Sequence, residues 1–193
     1  MEEAFKNEDV KSRLILSGLK ELSEYGARDF SLRRAADAAG VSCAAPYRYF
    51  KSKEEYVAEI IAYLSSRWEL MAKEIVKSYR PAGYSLFAEL SAANVKFWVS
   101  HKNAASCFFI AGEENPFAKS WIFDKTLTEK LYEFFFSEGF TDALAKEKVT
   151  AVRALLIGYV ALISSEELSN GEGTFISIKK QIDAFVFQNC IAN

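Results

Sequence analysis

Ser31-Leu-Arg-Arg-Ala-Ala-Asp-Ala-Ala-Gly40-Val-Ser-Cys-Ala-Ala-Pro-Tyr-Arg-Tyr-Phe50-Lys-Ser-Lys-Glu-Glu-Tyr56 is written as two short helices joined by a glycine turn, with a third helix starting at once. Ser31 is a good N-cap for an alanine-rich turn, Gly40 supplies the left-handed residue that ends the first helix, and Ser42 is placed to cap the second two residues later. Ser52 with Glu55 makes a capping box for the third helix, which the pattern carries to about Tyr79, ahead of Pro81-Ala82-Gly83. So tight a turn makes the first two helices cross steeply. That crossing lays one helix over a DNA backbone while the other projects into the major groove. The segment points to DNA.

Charge supports this locally. The chain of 193 residues has a formal net charge of only −2, which argues against coating nucleic acid by bulk charge. Between Arg28 and Lys53, however, six basic residues (Arg28, Arg33, Arg34, Arg48, Lys51 and Lys53) face two acidic ones, Asp29 and Asp37. Positive charge confined to the motif suits a sequence-specific binder, because a globally basic protein would be held everywhere.

The rest of the composition reads as all-α. Half the residues are hydrophobic, and three prolines with nine glycines leave little room for the turns of a sheet protein. Beyond a first helix from about Asp9 to Tyr25, closed by Gly26, helices are expected at about Leu86–His101, Asn103–Gly112, Pro116–Ser137, Asp142–Ser169 and Thr174–Ile191. The N-terminus has no cationic region followed by an apolar core, and the most apolar run, Ala154 to Ile163, is half a membrane span, so a soluble cytoplasmic protein is expected. Cys43, Cys107 and Cys190 are far apart and His101 is the sole histidine, giving neither zinc spacing nor a disulfide framework; no metal and no cofactor are expected.

Gly40-Val41-Ser42, then Tyr47, Phe50, Lys53 and Glu54 at these offsets, resemble the TetR/AcrR family of transcriptional regulators. The first helix and Phe30-Ser31-Leu32-Arg33 extend the likeness over about the first 60 residues. It implies an N-terminal three-helix DNA-binding domain, residues 1–55, and a helical effector-binding and dimerisation domain, residues 56–193. It further implies that Ser31 and Arg33, then Ser42, Cys43, Ala44, Ala45, Tyr47, Arg48 and Tyr49, and Lys53 beyond them, face DNA. Their chemistry agrees: Arg33 suits guanine O6 and N7, Ala44 and Ala45 suit a thymine methyl, and a Tyr47 or Tyr49 hydroxyl suits a phosphate. Arg34 and Arg48 read equally as solvated helix faces, and Tyr47 also as a core residue. Val41 and Phe50 read as core. Pro46 replaces the bulky aliphatic residue usual there and leaves the length of the second motif helix open. Cys43 reads as a small residue chosen for fit rather than a redox sensor.

Downstream, aromatics crowd at Phe97-Trp98, Phe108-Phe109, Phe117, Trp121-Ile122-Phe123 and Tyr132 to Phe136. Most are ordinary core, and Phe134 to Phe136 cannot all face one side of a helix. The resemblance implies that some line an effector pocket; Phe97, Trp98, Phe109, Trp121 and Tyr132 are the candidates, and an apolar or aromatic molecule is the expected ligand. The run Ala154–Ile163 is apolar around its whole circumference, and Phe175, Ile178, Ile182, Phe185, Val186 and Asn189 form a stripe on the last helix. Leu155, Gly158, Tyr159, Leu162, Ile178, Ile182 and Phe185 are therefore expected in a homodimer interface, two helices from each chain making a four-helix bundle. The alternative is a buried central helix in a monomer. The expectation for the whole is a homodimeric repressor released from a palindromic operator by a small apolar molecule, with the helix from Ser52 to Tyr79 as lever. Its rivals are control by a protein partner or a corepressor, and an enzyme using the aromatic pocket. One histidine and scattered cysteines assemble no nucleophile and base, so no enzyme is expected.

Overall fold

The computed structural model describes residues 2–81, 83–109 and 125–188, with side chains from 10 to 107 (82 excepted) and from 125 to 187. Among the described residues the fold is all-α: α1 (Glu2–Tyr25), α2 (Leu32–Ala38), a 3-10 turn (Pro46–Arg48), α3 (Lys53–Ser78), α4 (Leu86–Ser100), α5 (Lys102–Ala105), a second 3-10 turn (Ser106–Phe109), α6 (Lys125–Ser137), α7 (Asp142–Ser164) and α8 (Glu172–Gln188). They form two compact units. The head holds the described residues up to Ser66 and those from His101 to Phe109; the body holds Arg67–Ser100 and those from Lys125 onward, so α3 runs through the division.

In the head, α1 buries Leu14, Ile15 and Leu22 at helical spacing. It ends on Gly26, whose φ of +72° lets its N–H reach back to the Leu22 carbonyl at 2.9 Å. At Gly18 α3 comes close: a Cβ there would stand 2.8 Å from Ile60 Cδ1 and 2.8 Å from the Tyr56 ring. Tyr56 is the centre of this unit. Its ring stacks on Phe50 at 4.1 Å and meets Phe30 edge-on at 5.2 Å, and its hydroxyl donates to the Leu14 carbonyl. Burial pushes that phenol up to about 12. The segment after α4 returns to the head: α5 packs on α1, Ala104, Ala105 and Cys107 are buried, and Asn103 Nδ2 donates to the Ser23 carbonyl at 2.7 Å. Burial likewise pushes the Cys107 thiol up to about 11.

The expected second motif helix is not an α-helix. After Gly40 (φ +67°) the chain makes a turn in which the Ala45 N–H donates to the Ser42 carbonyl, then a single 3-10 turn. Pro46 is the cause, since it has no N–H for the preceding turn and stands at the first position of its own. Of the expected helix over Asn103–Gly112, the described residues to Phe109 form α5, which ends at Ala105, and then the second 3-10 turn; residues 110–112 lie outside the described residues.

In the body, α4 is the central element, packed against α6, α7 and α8. Ala88, Leu90, Ser91, Ala92, Asn94, Val95 and Trp98 are all buried on it. The Ser85 hydroxyl donates to Asp183 of α8 and its oxygen accepts the Ala88 N–H at 3.1 Å, so one serine caps α4 and ties it down. Lys179 pairs with Glu89 at 2.9 Å beside it. The start of α6 is held by Glu69 of α3, whose carboxylate accepts the Lys125 N–H at 2.7 Å and the Thr126 hydroxyl at 2.7 Å. Of the three phenylalanines of α6, Phe135 is fully buried, Phe134 lies against Phe87 and Phe187, and Phe136 is exposed. α7 stops at Ser164, five residues short of the expected end, where Glu166 takes a left-handed φ of 64° and the Leu168 N–H closes on the Leu162 carbonyl.

Candidate nucleic-acid interface

Everything that aims the motif starts from one buried carboxylate. Glu21 of α1 is 6% exposed; it accepts the Ser31 N–H at 3.0 Å and the Arg34 Nε–H at 2.8 Å. Arg34 also donates from Nη2 to Glu21 and to the Asp29 carbonyl at 2.7 Å, and its guanidinium lies 4.2 Å from the centre of the Tyr25 ring. Hydrogen bonding to Glu21 raises the pKa of Arg34 further. This fork holds α2 across α1 at the point where Ser31, whose Oγ accepts the Arg34 N–H at 3.3 Å, caps α2. At the other end of α2, Arg13 donates to the Ala39 carbonyl at 3.1 Å. Arg34, read from the motif as a solvated or DNA-facing side chain, has an internal role; Glu21 itself was missed.

Arg28, Arg33, Arg48 and Lys51 are exposed, and among the described residues their side chains carry no ion pair or hydrogen bond. Ser42, Cys43 and Ala44 are exposed beside them, Ala45 and Tyr49 are half-buried, and Tyr47 is 66% exposed, which places its ring outside the core. Lys53 is half-buried and its ammonium donates to the Arg28 carbonyl at 2.7 Å. Val41, expected in the core, is half-buried; Phe50 is buried there. The next helix begins on the capping box, with the Ser52 Oγ accepting the Glu55 N–H at 3.2 Å and Glu55 accepting the N–H of Lys51 at 2.7 Å, one residue ahead of the cap. The carboxyl of Glu54 is held below its usual range by its own backbone N–H and by the Ser52 hydroxyl. Four exposed, unpaired cations, Arg28 ahead of α2, Arg33 on α2, Arg48 on the 3-10 turn and Lys51 after it, give the motif the positive charge that suits phosphates and base edges.

Residues 14–60 match the profile of the tetR family of bacterial regulatory proteins. The head is that of a TetR-family transcriptional regulator. No curated protein sequence matches the chain. Solved structures similar to the whole chain share its fold. A regulator from Rhodococcus sp. Rha1 is 16% identical, with 93% of this chain and 96% of that one covered and a TM-score of 0.71. FadR from Bacillus subtilis, solved with stearoyl-CoA, is 14% identical over 90% and 98% of the two chains, with a TM-score of 0.66. A single-substitution variant of TetR from Acinetobacter baumannii AYE, solved with minocycline, is 16% identical over 93% and 97%, with a TM-score of 0.62.

Beyond the TetR-type head, the body brings only part of the expected pocket set together. Phe97 is half-buried and Trp98 fully buried; their rings meet edge-on at 5.3 Å, and Trp68, which no local pattern singles out, joins them 5.6 Å from Phe97. Tyr132 is half-buried and stacks on Phe136 at 5.9 Å, with no described contact to that group. The Phe109 side chain and Trp121 lie outside the described residues, as does Asn189. Of the expected interface residues, Leu155, Gly158, Tyr159 and Leu162 line an open groove of about 600 Å³ between α7 and α8, with Ala154, Leu168, Gly173, Thr174, Ser177 and Gln181. Nothing stands within 4 Å of a Cβ built on Gly158. Ile178 and Ile182 turn the other way: both are fully buried, because the face of α8 that carries them packs on α4. They belong to the chain's own core. Phe185 is half-buried under the Lys148 ammonium, 5.5 Å from its ring centre. Among the described residues no helix is long and apolar enough to cross a membrane, and no group of three metal-ligating side chains occurs.

Proposed function

We propose that the chain is a homodimeric repressor that holds a palindromic DNA operator and releases it when a small apolar or aromatic molecule enters the body. The observation that carries this reading is the set of exposed cations Arg28, Arg33, Arg48 and Lys51 on a TetR-type head. Arg33 is the base reader, the other three fix the head on phosphates, and Tyr47 adds a hydroxyl donor. The apolar groove between α7 and α8 is the surface a second copy covers, and it supports the two-fold arrangement a palindrome requires. Trp68, Phe97 and Trp98 support an effector with a large apolar part; of two proteins of like fold, one was solved with stearoyl-CoA and the other with minocycline. The effector acts by preferring the conformation whose heads do not fit adjacent grooves, with α3 common to both units as the connecting element.

Selection of bound sequences from a random DNA pool tests the reading directly. Inverted repeats are expected, with half-site centres about one helical turn or a multiple apart. Recovery of sequences without two-fold symmetry would overturn the dimeric operator, and an aromatic or acyl molecule that melts the fold later but leaves the operator bound would overturn release.

A further inference from the structure

α2 is a helix of seven residues, too short to hold itself together or to choose its own place. The side chains it buries are alanines, Ala35 and Ala36, with Ala39 just beyond them, and methyl groups raise no ridge that would stop one helix sliding over another. Its place is set instead by two charged ties to α1, one at each end. At its start the Glu21 carboxylate accepts the Ser31 N–H at 3.0 Å; at its close the Arg13 guanidinium donates to the Ala39 carbonyl at 3.1 Å. Each charge has the sign that its helix end favours. The spacings match. From Glu21 back to Arg13 is eight residues of α1, and from Ser31 on to Ala39 is eight residues of the segment that runs the other way, about 12 Å in either helix at 1.5 Å per residue. A slide of α2 along α1 therefore strains both ties at once. Arg13 also stands where α2 hands over to the turn, since its Nη1 would lie 3.9 Å from a Cβ built on Gly40.

We propose that Arg13 is a positioning residue for DNA discrimination: by holding the Ala39 carbonyl it fixes the Gly40 turn, and with it the exposed Ser42, Cys43 and Ala44, relative to Arg33 on α2. This rests on the reading of the head as a sequence-specific DNA binder given above. Base edges reward a side chain only at hydrogen-bond distance and in one orientation, whereas phosphates attract charge over a wider range. A loosened α2 thus loses its choice among sequences before it loses its attraction to DNA. Glu21 does not suffice for this, because a helix fixed at one end still swings at the other.

Two substitutions in the full-length protein make the test. Arg13→Met keeps the apolar stem and removes the donor, and Arg13→Lys keeps the positive charge on a shorter reach. The parent selects its preferred sequence from a random DNA pool, and fluorescence anisotropy over a salt series gives the affinity of all three proteins for that sequence and for unselected DNA. In Arg13→Met the ratio of the two affinities is expected to fall about ten-fold, with the salt slope on unselected DNA unchanged, and Arg13→Lys should lie between Arg13→Met and the parent. A ratio in Arg13→Met equal to that of the parent, or one lower still in Arg13→Lys, would overturn the proposal. So would a salt slope shallower by about one with the ratio intact, since Arg13 would then be an ordinary phosphate contact. Readings at two temperatures, both well below the melting transition, separate position from stability: a ratio that recovers on cooling would mean that Arg13 only stabilises the head. The operator reading fails on a different result, for selected sequences without two-fold symmetry would sink the palindrome and leave the role of Arg13 standing.

Discussion

Arg34 turns back onto Glu21 and Arg33 does not, because successive side chains on a helix diverge by about 100°. Two adjacent arginines thereby acquire different chemistry. Removing Arg34 strands a carboxylate that is 6% exposed and frees the N-terminal turn of α2. Arg34→Ala is therefore expected to lower the melting temperature by several degrees, and Arg34→Lys to restore little of it, since one ammonium cannot reproduce the fork. The salt dependence of DNA binding should keep its slope in both. Arg33→Ala should leave the melt alone but weaken the operator by about 1–3 kcal/mol and relax preference at one position per half-site. Melting curves and fluorescence anisotropy on operator and random DNA separate the two. A large loss of stability at Arg33 with none at Arg34 would reverse the assignment. Lys53→Ala should weaken all sequences alike, because it removes one positive charge from the motif and frees the Arg28 carbonyl that the ammonium holds.

The seam between α1 and α3 shows the same logic one level up. Gly18 lets α1 and α3 approach closely, and the atoms a Cβ would strike belong partly to the fully buried Tyr56 ring, which has little freedom to retreat. Gly18→Ala gains up to about 1 kcal/mol of helix propensity but is expected to lose about 1–3 kcal/mol to overpacking, a net destabilisation measurable by urea unfolding. The same seam should be sensitive to alkali. Because the folded pKa of Tyr56 lies above that of an exposed tyrosine, near 12 against 10, its contribution is intact below about pH 10 and fades as pH rises toward 12. Tyr56→Phe should flatten the alkaline limb of the melting profile while lowering stability at neutral pH by about 1 kcal/mol for the lost hydrogen bond. Features written in neighbouring residues were legible in the sequence: the glycine ends at Gly26 and Gly40, the caps Ser31 and Ser52, and the spans of α3 and α4; the expected end of the last helix at Ile191 lies outside the described residues. Pro46 was visible but its effect was not, since one proline at a first turn shortens a helix only when nothing else supports it. Glu21 with Arg34 is thirteen residues apart on two elements, and nothing in either local pattern announces the pair. The inward turn of Ile178 and Ile182 depends on which side of α8 meets α4, which periodicity alone leaves open.

At the scale of the molecule, the groove on α7 and α8 decides whether two heads act together. Gly158 looks into open space within one chain, so a large residue there harms the dimer and not the protomer. Gly158→Trp is expected to leave the helical circular dichroism unchanged, to shift the mass in light scattering from dimer toward monomer, and to weaken operator binding sharply because the second half-site no longer benefits from the first. A variant that stays dimeric would place the interface elsewhere. The return of α5 to α1 has a different consequence, for how the protein is made. Ala104, Ala105 and Cys107 complete the burial around α1, yet the ribosome reaches them only after the whole of α4. At about 5–20 residues per second, the nascent reading head waits some seconds with one flank uncovered, open to chaperones, and a gene fragment that stops after α3 leaves that flank bare for good.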